Sequence, residues 1–425
     1  MEDQEVVDPD EDLQIQQTLL AASQHNIPQL RSLLRNGPAS VQDPETGFTP
    51  LHAAIVACEP SQSPKQNGIQ VNGHISDGHA QETEGDESLA TQDEDIKRAS
   101  KTVKLLLENG AIWNDVDNNN ETPGCLALRL GLKELYNIMV DAGVRAEILL
   151  NRLDEYEQLG DDADEVIEAD DVVEAELAVA EVSHEAGVQA TPPTGSMTDT
   201  INSVEVSNEE FLRSDLRFQD GRILDNSRNG VMMAWETDIM KRTADLLCPR
   251  SDLRILNIGH GMGIIDSFLQ DKSPTSHHII EAHPAVLAQM RRDGWYDKPN
   301  VTVHEGKWQD IVPKIMEQAQ MFDAIYFDTF AEDYKALRDF FSDYVLGLLE
   351  DGGRWGFFNG LGADRQICYD VYGKVVEMDL FEAGFDTEWE TLQVPNLEDN
   401  DEWKDIRRRY WTLKEYKLPI CCFAG

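Results

Sequence analysis

The stretch LRILNIGHGMGII, residues 253–265, decides the fold of the carboxy-terminal half of this chain. An apolar run ends at Gly259, and two more glycines, Gly261 and Gly263, precede a second apolar pair. Glycine tolerates positive φ and lets the backbone approach a ligand closely. A strand that leads through such a turn into a helix is typical of a site for a nucleotide-like cofactor. The pattern predicts a cofactor loop without saying which cofactor it holds.

The same half of the chain alternates apolar strand patterns with amphipathic helix patterns. The predicted strands are LRILNI (253–258), HHIIEA (277–282), NVTVHEG (300–306), FDAIYFD (322–328) and GRWGFFN (353–359). Helices are predicted to begin near Ile264, Ala285, Trp308, Asp333 and Asp364. This alternation predicts a parallel, doubly wound sheet of the Rossmann-like α/β class. The segments EWETLQV (388–394) and LKEYKLPICCF (413–423) predict an antiparallel hairpin at its edge.

The candidate ligand site lies where these strands end, because a doubly wound sheet binds ligands at the carboxyl ends of its strands. Glu281 ends the second strand, where a carboxylate can accept hydrogen bonds from both hydroxyls of a ribose. Trp308 and Gln309 follow the third strand and could face an adenine ring. Asp328 ends the fourth strand and points toward the reacting centre, or it caps the helix that follows.

The spacing of the glycines separates two cofactors only in part. A dinucleotide loop has the pattern G-x-G-x-x-G, and its third glycine would fall on Ile264. S-adenosylmethionine carries no phosphate, and the observed G-x-G-x-G suits its amino-acid end. We therefore expect S-adenosylmethionine as co-substrate. A nicotinamide-dependent oxidoreductase is the alternative, and it would need the missing glycine.

The segment VMMAWETDIMKRTADLL (231–247) predicts an amphipathic helix that leads into the first strand. Its Met232 and Met240 are typical of simple core residues. Glu236 lies among apolar neighbours, and a buried carboxylate needs a partner. If Glu236 and Asp328 face one cavity, they present two acceptors to a planar guanidinium, which matches them with a bidentate fork.

The amino-terminal region contains a degenerate repeat. TPLHAA (49–54) is the start of an ankyrin helix pair, and TPGCLA (122–127) occupies the equivalent position later. The polar stretch 59–95 accounts for most of the excess spacing as an insertion. The sequence predicts an α-helical ankyrin-repeat domain over 1–150, whose role is to bind protein; a generic helical domain is the alternative. An acidic linker over 151–203 and a catalytic domain over 204–425 complete the predicted organisation.

Five segments of the catalytic domain together resemble guanidinoacetate methyltransferase. They are VMMAWETDIM, ILNIGHGMGI, HHIIEAHP, GKWQDI and FDAIYFDTF, in this order, and the resemblance covers most of residues 210–360. With the repeats in front and the tail WKDIRRRYWTLKEYKLPICCF (403–423), the whole chain resembles the fungal type IV protein arginine methyltransferases. The resemblance implies a seven-stranded S-adenosylmethionine-dependent methyltransferase fold.

The resemblance implies methylation of the internal (δ, N5) guanidino nitrogen of arginine in a protein substrate. The acceptor-loop pattern S-E-x-M-G-Y of the ordinary protein arginine methyltransferases does not occur, which counts against methylation of the ω nitrogens. A small guanidino compound such as guanidinoacetate is the alternative acceptor, although it would need no protein-binding module. An inactive scaffold is a further alternative, and the intact Glu236, Asp328 and Glu281 count against it.

The resemblance also implies a set of site residues. Glu236 and Asp328 would hold the guanidino group as the catalytic residues. S-adenosylmethionine would contact Phe211, Met232, Met240, Gly259, His260, Gly261, Met262, Gly263, Ile264, Glu281, Ala282, His283, Trp308, Gln309 and Asp328. No metal is expected, because methyl transfer neutralises the sulfonium without one. The acidic stretch 161–171 lacks the glycine and ligand order of a calcium loop.

The net charge of −44 is concentrated in tails and linkers. The first twelve residues, 59–95 and 154–185 together carry 29 of the net negative charges. This acidity disfavours direct binding to nucleic acid and suits a basic protein substrate such as a ribosomal protein, although solubility alone would also explain it. Six cysteines without a framework and no long apolar run predict a reduced cytoplasmic and nuclear protein, not bound to a membrane. We expect a monomer.

Overall fold

The computed structural model describes residues 9–59, 84–161, 207–397 and 402–425. Most of the predicted insertion and most of the predicted acidic linker therefore lie outside the described residues. Of the described residues, those up to Val144 and those from 207 onward belong to one compact unit, and 145–161 belong to a second. Among the described residues, no helix is both long enough and apolar enough to span a membrane.

The amino-terminal part consists of helix pairs. Its helices are α1 (Pro9–Ser23), α2 (Ile27–Leu33), α3 (Pro50–Val56), α4 (Glu84–Glu108), α5 (Pro123–Arg129) and α6 (Lys133–Asp161). Thr49 caps α3 by accepting the His52 N–H, and Thr122 caps α5 by accepting the Cys125 N–H. The His52 ring also bonds the Glu121 carbonyl at 2.9 Å, which ties one helix pair to the next.

The carboxy-terminal part alternates strands with helices. It begins with α7 (Asn208–Arg213), β1 (Arg217–Gln219), β2 (Arg222–Leu224), β3 (Gly230–Met233), α8 (Thr237–Leu247), β4 (Arg254–Ile258), α9 (Ile264–Asp271) and β5 (Ser276–Glu281). It continues with α10 (Pro284–Arg292), β6 (Val301–Glu305), α11 (Trp308–Glu317), β7 (Phe322–Phe327), α12 (Tyr334–Asp339), α13 (Leu346–Leu348), β8 (Leu349–Phe357), α14 (Gln366–Glu382), β9 (Phe385–Gln393) and β10 (Glu415–Phe423). A π-helical stretch, Phe340–Val345, joins α12 to α13.

Seven of these strands form one sheet in the order β6-β5-β4-β7-β8-β10-β9. Neighbours from β6 to β8 are parallel, whereas β10 pairs antiparallel with both β8 and β9. The Rossmann-like, seven-stranded prediction is confirmed, as is the antiparallel pairing of the last two strands. The last strand, however, lies inside the sheet between β8 and β9, so β9 forms this edge of the sheet and β6 forms the opposite edge.

The segment before the central strand was wrongly predicted as a continuous helix over 231–247. Gly230–Met233 is a strand that pairs with β2 in a separate three-stranded sheet, and a 3-10 turn (Ala234–Glu236) precedes α8. Met233 and Trp235 are buried in the core that α8 shares with the large sheet. Most apolar residues of 231–247 are buried in this one core, although the segment is first a strand and then a helix.

Helix α14 of the sheet domain packs against the amino-terminal helices. The Tyr136 hydroxyl donates to the Asp370 carboxylate at 2.7 Å. The Arg365 guanidinium, at the start of α14, donates to the Asn120 side chain at 3.0 Å. Gly143 lies against Val371, with a hypothetical Cβ only 2.7 Å from that side chain. The two parts of this unit are therefore joined by a close-packed surface.

Gly143→Ala should destabilise the protein, because the added methyl group collides with Val371 and with the Trp113 ring, 3.1 Å away. We expect the free energy of unfolding to fall by about 1–3 kcal/mol, the usual cost of overpacking. Gly373→Ala, in α14, is the matched control because nothing lies within 4 Å of its Cβ position. The control should gain about 0.5–1 kcal/mol from helix propensity. Urea unfolding measures both, and equal effects would contradict a close-packed surface.

Candidate functional site

The turn between β4 and α9 has the conformation that its glycines predict. Gly259, Gly261 and Gly263 have φ values of +92°, +55° and +70°. A Cβ on Gly259 would lie 1.8 Å from the Asp328 carbonyl oxygen, and one on Gly261 would lie 2.5 Å from the Met232 sulfur. The turn therefore needs glycine both for its backbone angles and for the close approach of its neighbours.

Glu281, at the end of β5, binds this turn directly. Its Oε2 accepts the His260 backbone N–H at 2.9 Å, and its Oε1 accepts the His283 backbone N–H at 2.7 Å. A carboxylate oxygen has more than one acceptor position, so both oxygens remain able to accept from a ligand. Glu281 thus joins the ends of β4 and β5 and faces the space between them.

A buried ionic cluster lies beneath the turn. The Asp266 carboxylate contacts the His260 ring at 2.6 Å, accepts the Asn257 amide at 2.8 Å and lies 2.9 Å from the His277 ring. Burial alone would raise the pKa of Asp266, but the two histidines more than offset it and lower that pKa to about 2. The cluster joins β4, the turn, α9 and β5 around one negative charge.

A cavity of about 290 Å³ opens at the carboxyl ends of β4, β5, β6 and β7. The sequence-predicted site residues that line it are Phe211, Met232, Glu236, Gly259, His260, Gly261, Glu281, Ala282, Trp308, Gln309 and Asp328. They come from separate strand ends, the glycine turn and two segments upstream of β4. The tertiary structure therefore gathers these residues around one space.

Five predicted residues do not line the cavity: Met240, Met262, Gly263, Ile264 and His283. Met240 is fully buried in the core, where its sulfur accepts from the Tyr326 hydroxyl at 3.5 Å. His283 caps α10, and its other ring nitrogen bonds the Phe211 carbonyl at 3.0 Å. His283 thus supports the cavity wall from behind.

Phe211 forms one wall of the cavity. Its ring packs against Phe330 at 4.7 Å and against His283 at 4.8 Å, measured between ring centroids. Asn208, on the same short helix, donates to the Phe330 carbonyl at 3.4 Å. Helix α7 is therefore attached to the loop after β7 and to the start of α10.

The end of β6 contributes an aromatic and amide pair held by an acid that sequence reasoning missed. Glu332 accepts the Trp308 indole N–H at 3.0 Å and the Gln309 side-chain amide at 2.8 Å. Trp308 and Gln309 both line the cavity. The next residue, Asp310, is exposed. The spacing of 24 residues between Trp308 and Glu332 gives no local signal of this contact.

Two carboxylates, Glu236 and Asp328, face the cavity. Glu236 is 3% exposed, and its Oε1 accepts the Met233 backbone N–H at 3.1 Å. Burial and the nearby charge of Asp328 raise the pKa of Glu236 to about 8. Burial and the charge of Asp266 raise the pKa of Asp328 to about 7. Such a pair is stabilised when a cation binds between its members.

Tyr410 also lines the cavity and was missed from the sequence. Its hydroxyl donates to Oε1 of Glu236, and its ring stacks on Trp235. The two bonded residues are 174 positions apart, so no motif connects them. The aromatic density of 403–411 was the only available signal, and it predicts burial more readily than a site contact.

Comparison with known proteins identifies relatives along the whole chain. The family model for guanidinoacetate N-methyltransferase matches residues 213–413. The chain is 54% identical over 435 residues to protein arginine N-methyltransferase 2 of Emericella nidulans, covering 98% of each chain. It is 55% identical over 420 residues to the protein of the same name from Aspergillus oryzae, covering 97% of each. The Aspergillus fumigatus relative of that name is 53% identical over 424 residues, again covering 97% of each.

The raised pKa of Glu236 makes a prediction about stability. The folded protein binds the Glu236 proton more tightly than the unfolded chain does. The free energy of unfolding therefore falls as pH rises from the ordinary pKa of 4.5 to about 8. Glu236→Gln should therefore raise the melting temperature more at pH 8.5 than at pH 5. The exposed Glu388→Gln is the control and should give the same shift at both values. Calorimetry measures both variants, and a pH-independent effect of Glu236→Gln would contradict the raised pKa.

Proposed function

We propose a reaction for this chain on the premise that it belongs to the family of fungal proteins named protein arginine N-methyltransferase 2. The chain transfers a methyl group from S-adenosylmethionine to the internal (δ, N5) guanidino nitrogen of arginine in a protein substrate. The observation that carries this proposal is that Glu236 and Asp328, two carboxylates with raised pKa values, face one cavity beside the glycine turn. A pair of carboxylates of this kind favours a cationic ligand.

The residues that line the cavity match the ribose and adenine groups of S-adenosylmethionine. Glu281 at the end of β5 would accept hydrogen bonds from the ribose, and Trp308 with Gln309 would contact the adenine. Gly259 and Gly261 line the cavity, and glycine lets the backbone approach a ligand closely. Bound there, S-adenosylmethionine supplies an electrophilic methyl group. Phe211, Met232 and Ala282 add contacts for its remaining atoms, since all three line the same space.

The carboxylates solve the problem that arginine is a poor nucleophile. Its guanidinium is protonated throughout the physiological range, so the charge must be held away from the reacting nitrogen. Glu236 and Asp328 can each accept guanidinium N–H groups and fix the plane of the cation. The reacting nitrogen must then lie in line with the methyl carbon at about 3–3.5 Å, which is a matter of positioning. The proton that this nitrogen loses passes to a cavity carboxylate.

The choice of the δ nitrogen rests on the resemblance to the type IV enzymes and on the missing S-E-x-M-G-Y acceptor loop. The match of the guanidinoacetate N-methyltransferase model to residues 213–413 favours a second candidate, a small guanidino acceptor. The additional helical module in front of the matched region supports a protein substrate over a small molecule, because only a protein needs an extended binding surface.

We propose that the amino-terminal helix pairs are ankyrin repeats. Support comes from the Thr-Pro starts of α3 and α5, each with threonine as the N-cap and proline in the first turn. The bond between His52 and the Glu121 carbonyl links consecutive pairs, as stacking requires. This module would bind a basic protein substrate, for which the acidic chain is electrostatically suited, and the enzyme would act as a monomer.

The product of the reaction tests the proposal. The protein is incubated with labelled S-adenosylmethionine and an extract of matched cells that lack it. The labelled protein band is then hydrolysed to identify its methylarginine. We expect δ-methylarginine. An ω-methylarginine would contradict the choice of nitrogen, and label confined to small molecules would support the guanidino-compound alternative instead.

Glu236→Gln should reduce the rate of this reaction roughly 100-fold or more, the cost of truncating one partner of a buried charge pair. Binding of S-adenosylmethionine should stay within about threefold of wild type, because its contacts lie elsewhere in the cavity. Glu388→Gln, an exposed glutamate on β9, should leave both quantities unchanged. Initial rates and calorimetric binding separate the two effects. A wild-type rate in Glu236→Gln would exclude its contact with the guanidinium.

A further inference from the structure

We propose that Tyr410 is a positioning residue for the acceptor: its hydroxyl occupies one oxygen of Glu236 and leaves the other oxygen to the substrate guanidinium. This rests on the proposed function, which assigns Glu236 to the guanidino group. The hydroxyl donates to Oε1, the same oxygen that accepts the Met233 N–H at 3.1 Å. Within the described ranges, Oε2 has no hydrogen-bond partner. The two oxygens of this carboxylate are therefore divided between the protein and the cavity.

The ring of Tyr410 is held on several sides. It stacks on Trp235 at a centroid distance of 6.0 Å and meets the edge of Trp403 at 5.2 Å. A Cβ on Gly230 would lie 3.0 Å from the Tyr410 ring, so β3 approaches it as closely as glycine allows. The hydroxyl consequently reaches Glu236 from a defined direction.

The backbone that carries Tyr410 is anchored before and after it. Before it, the Arg407 N–H donates to the Arg228 carbonyl at 3.0 Å. After it, Thr412 donates its backbone N–H to the Ala363 carbonyl and its hydroxyl to the Asp364 carbonyl, each at 3.0 Å. These bonds tie the segment to the hairpin before β3 and to the loop after β8. Both of those regions also contribute to the cavity wall.

Because the two oxygens of Glu236 have different partners, they differ in their ability to receive the proton that the acceptor nitrogen loses. The acceptor nitrogen forms a bond to the methyl carbon as the carbon–sulfur bond of the donor breaks, and its N–H proton passes to a base. With Oε1 occupied by two donors, Oε2 of Glu236 is the oxygen that can accept a guanidinium N–H and then that proton. The Tyr410 hydrogen bond also opposes the effect of burial and lowers the pKa of Glu236, which favours the anion that binds the cation.

Tyr410→Phe is the test, because it removes the hydroxyl and keeps the ring. We expect the rate of methylation in the matched extract to fall roughly ten- to a hundredfold, the equivalent of one hydrogen bond to a charged group. The acid limb of the pH–rate profile should move to higher pH, because Glu236 loses a donor that stabilises its anion. Binding of S-adenosylmethionine should not change.

Tyr136→Phe is the matched control. Tyr136 is also buried and also donates to a carboxylate, that of Asp370, but it lies outside the cavity. It should lose stability while keeping the wild-type rate and pH profile. If Tyr410→Phe behaved in the same way, with an unchanged rate and acid limb, the positioning role would be overturned.

A thermal double-mutant cycle separates this inference from the proposed function. Melting temperatures of the wild type, Tyr410→Phe, Glu236→Gln and the double variant are measured between pH 5 and pH 9. The loss caused by Tyr410→Phe should grow with pH when Glu236 is present and stay constant when it is replaced. If the cycle showed no such coupling, the proposed role of the Tyr410 hydroxyl on Glu236 would be overturned. A wild-type protein that labels no arginine, with the coupling intact, would overturn the proposed function and the acceptor role only.

Discussion

The buried charge of Asp266 is the constraint on which the site depends. Its carboxylate is fully enclosed, and it is stabilised by the His260 and His277 rings and by the Asn257 amide. An enclosed carboxylate without such partners would cost several kcal/mol. Its partners come from β4, the glycine turn and β5. The contacts that stabilise this one charge therefore fix the position of the glycine turn relative to both strands. Glu281 then continues the same connection at the cavity surface.

The cavity holds two carboxylates whose negative charge a bound cation would offset. Glu236 and Asp328 face it with pKa values raised by burial, and the chain supplies one hydroxyl and one backbone N–H to Glu236. Two neighbouring carboxylates repel each other, so a protein of this family keeps them at a cost to its own stability. On the proposed function, a bound guanidinium would offset that cost, which would give an arginine side chain its affinity for the site. These two cavity carboxylates are separate from the acidic segments that dominate the net charge.

Local patterns in the sequence were sufficient to predict most of the catalytic domain. Strands β4 to β8 and the starts of the helices that follow them agree with the apolar spacing, because each of these elements buries one continuous face. The glycines of the turn and the acids at the ends of β5 and β7 were identified for the same reason. In a parallel sheet, the positions that follow consecutive strands meet at one edge. Eight of the eleven predicted residues that line the cavity therefore lie at or just after the ends of these strands, whereas Phe211, Met232 and Glu236 come from segments upstream of β4.

The sequence by itself determined which strand ends carry acids and which turn must be glycine, since both follow from neighbours within a few residues. Only the tertiary structure decided that Gly230–Met233 is a strand, that β10 lies inside the sheet, and that Met240 belongs to the core. It alone also brought Glu332 to Trp308 and Tyr410 to Glu236. These outcomes depend on contacts between segments that are far apart along the chain. Such contacts are selected by the packing of the whole domain, and they leave no periodic trace in the residues that make them.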